Sequence, residues 1–211
     1  MMSDELKLLA NNQTVLSMFS FFDCAPRNGW MPFGAVLGAI GIGMGVTMII
    51  QSSSACSGII IALGAGGLIN LYTAVALVLG SNIGTTITAQ IAAIPANRIA
   101  KQAALAHTLF NVIGVILVVS TFWLRWGDTG EPIFFRIVNV LSGSGDLPRR
   151  IANAHTLFNV FTTLILTAFI PVLAHICEAI IPVREPELKF QSLEKHLQKS
   201  PPLALVQTVS A

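Results

Sequence analysis

Two short stretches cluster polar side chains within the apolar part of this chain: Gln51-Ser52-Ser53-Ser54 and Gly80-Ser81-Asn82-Ile83-Gly84-Thr85-Thr86. Neither holds a formal charge, and no Asp, Glu, Lys or Arg occurs between Arg27 and Arg98. Hydroxyl and carboxamide groups can donate or accept hydrogen bonds, so Gln51, Ser52, Ser53 and Ser54 offer both. Gly80 and Gly84 are expected to let the second stretch unwind, while Asn82, Thr85 and Thr86 supply oxygens. A broken helix aims its ends at the gap: N-terminal N–H groups suit an anion, and C-terminal carbonyls suit a cation such as sodium. The chemistry predicted is ion binding. A plainer role for small polar residues is to join helices through hydrogen bonds worth about 0.6 kcal/mol each in a membrane. That role accounts for an isolated Ser or Thr better than for three serines after a glutamine, paired with a Gly-bounded Asn-Thr-Thr.

The elements that must position these groups are apolar. Hydrophobic residues make up 54% of the 211 positions and charged residues 10%, with a mean hydropathy of +0.74. Soluble domains carry about 25% charge, so this chain has too little to cover a water-facing surface. It is predicted to be an all-α integral membrane protein. Phe33 to Ile50 reads as a helix whose Gly34/Gly38 and Gly41/Gly45 pairs have the small-xxx-small spacing of close helix packing. The polar stretch at Gln51–Ser54 follows, then Ala55 to Leu63, a turn at Gly64–Gly67, Leu71 to Leu79, the second polar stretch, and a short helix to Ile94. A span needs about 20 residues, so the lengths predict two interrupted elements with breaks near mid-depth. Irregular backbone is tolerated there only where it lines a cavity or is buried in protein. Two uninterrupted spanning helices are expected from about Ala103 to Leu124 and from about Ala154 to Ile181.

Outside these runs, residues 1–32 read as an interfacial segment ending in a loop at Asp23–Arg27. Ile133 to Leu141 reads as a short amphipathic helix in a charged loop, and residues 183–211 as a polar tail outside the membrane. The acidic N-terminus, MMSDELKLLANN, is unlike a signal peptide. Ala106-His107-Thr108-Leu109-Phe110-Asn111-Val112 recurs word for word as Ala154-His155-Thr156-Leu157-Phe158-Asn159-Val160. Both copies are read as opening a long helix, in antiparallel elements, and each His shares a helical face with the Asn four residues on. A packing or hydrogen-bonding role is expected of these histidines before a proton or substrate role.

Cys24, Cys56 and Cys177 are too scattered for a disulfide framework or a zinc site. No complete GxGxxG, GxSxG elbow or carboxylate pair is present, and the mild net charge of +2 shows no nucleic-acid footprint. The chain is therefore not expected to be an enzyme, and no cofactor or nucleic-acid partner is expected.

Taken together, the paired stretches resemble the signature of type II sodium-dependent phosphate cotransporters, including their bacterial members. The resemblance covers roughly Phe33 to Ile181, and the spacing and the following Ala-His-Thr-Leu-Phe-Asn-Val helix are similar to the second of that family's two inverted repeats. It implies a re-entrant hairpin with Gln51–Ser54 at its tip, an unwound neighbouring helix, and phosphate and sodium bound between repeats. By this resemblance Gln51, Ser52, Ser53 and Ser54 contribute phosphate and sodium ligands, and Asn82, Thr85 and Thr86 line the same cavity. Sodium, the coupling ion, is assigned to Gln51, Ser53, Asn82 and Thr85. The tail around Leu193–Leu197 and Pro201–Leu205 resembles the linker into a PhoU-like domain, which Ala211 precedes.

Only one signature pair occurs, so the implied function is sodium-coupled phosphate symport by alternating access, with this chain supplying half the site. A second copy or another chain is expected to supply the other half. The alternative is a truncated or half-sized, non-transporting structural or regulatory subunit. Arg98 and Lys101 share a side with Arg184, Lys189 and Lys195 if two crossings separate them. The opposing loop holds Arg125, Arg136, Arg149 and Arg150, and by the positive-inside rule the small excess of Lys and Arg makes the first side the expected cytoplasmic one.

Overall fold

The computed structural model describes residues 21–125 and 130–182. The expected interfacial helix before Phe21 and the polar tail after Pro182 lie outside the described residues. Among those described, the regular structure is helical: α1 (Phe33–Ile50), α2 (Ser53–Ala65), α3 (Leu71–Gly84), α4 (Thr86–Ala93), α5 (Arg98–Ser120), α6 (Ile133–Ser142), α7 (Leu147–Thr167) and α8 (Ile170–Ile180). Phe33–Ile50, Leu71–Ala93 and Arg98–Ser120 are each long and apolar enough to cross a membrane, and α7 with α8 gives a fourth span if the bent pair counts as one. Large apolar side chains point outward, among them Ile49, Val140 and Leu164. Such a surface suits lipid, and the chain is an all-α membrane protein.

The centre is α3, buried along nearly its whole length from Leu71 to Gly84. Helix α1 runs parallel to it: Ile40 lies against Gly80, Gly43 against Leu77, and Met44 and Thr47 against Gly84. A Cβ on Gly80 would overlap the Ile40 carbonyl, and one on Gly43 the Leu77 carbonyl. On Gly84 it would come within 2.6 Å of the Met44 oxygen and 2.8 Å of Thr47 Cβ. Backbones this close need glycine, as in small-residue helix pairs generally. The expected packing pairs are thus corrected. Gly34, Gly41 and Gly45 meet nothing within 4 Å, and Gly38 meets only the Phe22 ring. Spacing identified a glycine-rich helix but not which face carries the contact, and the face is set by Ala39, Gly43 and Thr47, all buried.

Since α1 and α3 are parallel, α2 must run back between them. Its 13 residues span about 20 Å at 1.5 Å per residue, short of the roughly 30 Å hydrocarbon core. Helices α1 and α2 therefore form a hairpin that turns at Gln51–Ser52.

The second expected interruption is nearly absent. Helix α3 stays helical through Gly80, Ser81, Asn82, Ile83 and Gly84, and only Thr85, itself in right-handed helical geometry, separates it from α4. Gly80 and Gly84 do not unwind the helix. They bring it against α1, which satisfies the backbone by keeping it helical.

Helices α5 and α7 are antiparallel, as expected. The start of α5 meets the end of α8, where Arg98 Nη1 and Gln102 Nε2 donate to the carbonyls of Pro182 (2.9 Å) and Ile181 (2.7 Å). Beyond the end of α5, Phe122 stacks on Phe134 and Phe135 of α6, just before α7 begins. Both helices begin earlier than expected, because Asn97 and Asp146 cap them by accepting from Ala100 N (2.9 Å) and Arg149 N (3.1 Å). The repeated heptapeptides therefore lie about two turns inside α5 and α7 rather than opening them. The expected single helix from Ala154 to Ile181 is also corrected: α7 and α8 meet at 79°. Pro171 has no N–H to give the Thr167 carbonyl four residues back, and its ring crowds that carbonyl, so the helix breaks at Ala168–Phe169. Ile133–Ser142 is helical as read, with Phe134, Phe135 and Val138 inward.

Candidate functional site

Thr47 and Ser81 join the two signature stretches. Thr47 Oγ1 donates to Ser81 Oγ at 2.8 Å in the buried α1–α3 contact. One turn after Thr47 the helix ends: Gln51 N donates to the Thr47 carbonyl at 2.7 Å, and Gln51 takes the left-handed region at φ +56°. A side chain there costs on the order of 1–3 kcal/mol, and the outlier sits at the first residue of the signature. Ser52 is extended and caps α2, its Oγ accepting from Ala55 N at 3.2 Å. Ser53 and Ser54 form the first turn of α2. The polar break is thus Gln51–Ser52, not all four residues.

That break places the C-terminal carbonyls of α1 beside the N-terminal N–H groups of α2. Helix termini carry about half a charge each, negative at the C-terminus and positive at the N-terminus. Ser53 is half-buried and Ser54 exposed, and among the described residues neither hydroxyl has a hydrogen-bond partner in the chain. Both can turn toward an acceptor arriving at the α2 N-terminus. One turn further, Ser57 has a buried hydroxyl oxygen without a partner. It was legible only as another serine in the Gln51–Ser57 segment.

Around Thr85 the hydroxyls behave differently. Thr85 Oγ1 donates to the Asn82 carbonyl at 2.6 Å, Thr86 Oγ1 to the Ile83 carbonyl at 2.8 Å, and Thr88 Oγ1 to the Thr85 carbonyl at 2.8 Å. Their protons are committed to the backbone, so the oxygens have only lone pairs to offer, which suits a cation. Asn82 is buried, and its Nδ2 donates to the Val78 carbonyl at 3.0 Å.

Among the described residues no side-chain hydrogen bond runs directly between Gln51–Ser54 and Asn82–Thr86. The two sets are neighbours through Thr47 and Ser81, which sequence reasoning passed over. Thr47 had a signal: it is a polar residue inside an apolar helix, four before Gln51.

The repeated heptapeptides share their local bonding. Asn111 and Asn159 donate to the carbonyls of His107 (3.0 Å) and His155 (2.9 Å), so the shared helical face serves the backbone and leaves each imidazole free for other neighbours. The two rings then diverge. His107 is exposed beside an alanine-lined cleft that includes Ala89, Ala93 and Ala103, while His155 Nε2 lies 3.3 Å from Asn82 Oδ1. Among the described residues no group of three His, Cys, Asp or Glu side chains is placed to hold a metal ion.

Comparison with known proteins identifies the family. The chain is 40% identical over 146 residues to the uncharacterized protein YqeW of Bacillus subtilis (strain 168), covering 69% of this chain and 44% of that protein. It is 48% identical over 92 residues to sodium-dependent phosphate transport protein 2C of Rattus norvegicus, covering 41% of this chain and 15% of that protein. It is 45% identical over 92 residues to sodium-dependent phosphate transport protein 2B of Homo sapiens, covering 41% and 13%. The chain thus spans less than half the length of these relatives. No solved structure matches it. The Na+/Pi-cotransporter family matches residues 33–138, half of the chain and both signature stretches with the helices that carry them, and the chain belongs to that family.

Proposed function

We propose that this chain supplies one half of the substrate cavity of a sodium-coupled phosphate symporter that works by alternating access. The observation that carries the reading is the hairpin break. There the α2 N-terminus, with the Ser53 and Ser54 hydroxyls, faces the end of α1 within a segment free of formal charge. Phosphate is assigned to those N–H groups and hydroxyls. Sodium, the coupling ion, is assigned to the oxygens of Thr85 and Asn82 together with Gln51 and Ser53, on the far side of the Thr47–Ser81 hydrogen bond, where it offsets part of the phosphate charge without Lys or Arg. The sodium-dependent phosphate transport proteins among its relatives support this assignment.

The other half of the cavity is assigned to a second repeat, from another chain or another copy of this one, with the present chain matching the second repeat of the family. Arg98 and Gln102 at the start of α5 donate to the carbonyls of Pro182 and Ile181, and in the sequence Arg184, Lys189 and Lys195 follow Pro182. We assign that side to the cytoplasm.

Uptake of radiolabelled phosphate by proteoliposomes holding the full chain tests the reading. An inward sodium gradient is expected to drive uptake, and an equal potassium gradient is not. Ser54→Ala, which removes a hydroxyl assigned to phosphate alone, is expected to raise the phosphate concentration for half-maximal uptake roughly tenfold or more, the scale of a hydrogen bond to a charged group. Thr85→Val is expected to raise the sodium requirement instead. Uptake indifferent to sodium, or equal loss of both affinities in both variants, would overturn the assignment.

A further inference from the structure

The repeated heptapeptide places a histidine on Asn82 in one copy only. Asn82 Nδ2 donates to the Val78 carbonyl at 3.0 Å, which fixes the amide, because the reversed orientation would set two oxygens against each other. Oδ1 then points at His155 Nε2, 3.3 Å away on α7. Oδ1 has no proton, so this contact is a hydrogen bond only when Nε2 carries one. The backbone carbonyl of Asn82 in turn accepts from Thr85 Oγ1 at 2.6 Å. Asn82 is thereby held from three sides, by its own helix, by the residue at the α3–α4 break and by α7, while one lone pair of Oδ1 stays available.

We propose that His155 is a positioning residue: its Nε2–H orients the Asn82 amide so that Oδ1 presents a lone pair to the coupling cation. The inference rests on the sodium assignment above. His107, the identical residue of the other copy, is exposed and faces the alanine-lined cleft, so the same seven residues provide an internal control.

The test is direct equilibrium binding of radiolabelled sodium to the full chain in lipid, with thermal melting measured alongside. His155→Ala is expected to weaken sodium binding about fivefold, within the range a single neutral hydrogen bond supports. His155→Gln keeps an N–H donor near that position and is expected to restore most of the affinity. His107→Ala is expected to bind like the wild type. If wild type binds sodium and His155→Ala binds equally well, His155 has no positioning role and the sodium assignment stands. Equal weakening by His155→Gln or by His107→Ala would also overturn the role, since the cause would then be general packing. A wild-type chain that binds no sodium would overturn the site assignment itself, and the role of His155 with it.

Discussion

Gly114 of α5 packs directly on Thr162 of α7, and the two are equivalent residues. Each is the eighth after the alanine that opens its copy of the heptapeptide, and a Cβ on Gly114 would overlap Thr162 Cγ2. Two antiparallel helices bearing the same sequence touch at corresponding positions where they cross, as elements related by a local two-fold axis do. Gly114→Ala is expected to lower stability by about 1–3 kcal/mol, the cost of overpacking. Adding Thr162→Ser removes the obstructing methyl and is expected to recover much of the loss. Thermal melting of the two variants in detergent, compared with wild type, checks both.

Gln51 separates backbone strain from side-chain chemistry. Its φ of +56° is disfavoured for a side chain and easy for glycine. Gln51→Gly is expected to melt higher than Gln51→Ala by on the order of 1 kcal/mol, while both lose the carboxamide. If sodium or phosphate affinity falls in both, the carboxamide is the working group. If it falls only in one, the backbone conformation is.

The glycines of α1 and α3 divide by contact. Gly80→Ala meets the Ile40 backbone, which cannot move aside as a side-chain tip can, and is expected to destabilise by about 1–3 kcal/mol or more. Gly41→Ala enters open space and is expected to be neutral or to stabilise the helix by up to about 1 kcal/mol. Melting temperatures and expression of the two variants check the contrast, which the sequence alone would have reversed for Gly41.

Cys24, before α1, is fully buried and its backbone N–H donates to Thr73 Oγ1 at 3.1 Å. Burial, partly opposed by Thr73, pushes its thiol up to about 11. Because the folded value lies above the ordinary one, this group's contribution to stability is fully present below pH 9 and lost as the pH rises towards about 11. Stability curves across that range are expected to flatten in Cys24→Ala. Maleimide labelling of Cys24 at neutral pH is expected to require unfolding.

Much of the architecture could be read from residue order because the relevant signals are local. The charge-free run from Phe33 to Ile94 had to be membrane-compatible helix. The helix ends at Ile50 and Ala65 could be read from the polar and glycine clusters that follow them. Ile133–Ser142 showed its amphipathic face. Gly80–Thr86 misled, because a glycine that unwinds a helix and one that admits a neighbouring helix look alike until the neighbour is known. The bend after Thr167 had a local signal in Pro171, which lies inside an apolar run long enough to suggest one uninterrupted span.

The sequence by itself determined that this chain is a helical membrane protein, that its polar groups gather without charge at two places, and that one heptapeptide occurs twice. Composition and spacing carry those facts without reference to any distant contact. Only the tertiary structure decided which glycines are contact glycines, that Thr47 and Ser81 join the two polar stretches, and that of two identical histidines one reaches Asn82. Each of these depends on which face of a helix meets another helix. Faces are chosen by packing across residues far apart in the chain, and a periodic pattern that is apolar on every side leaves that choice open.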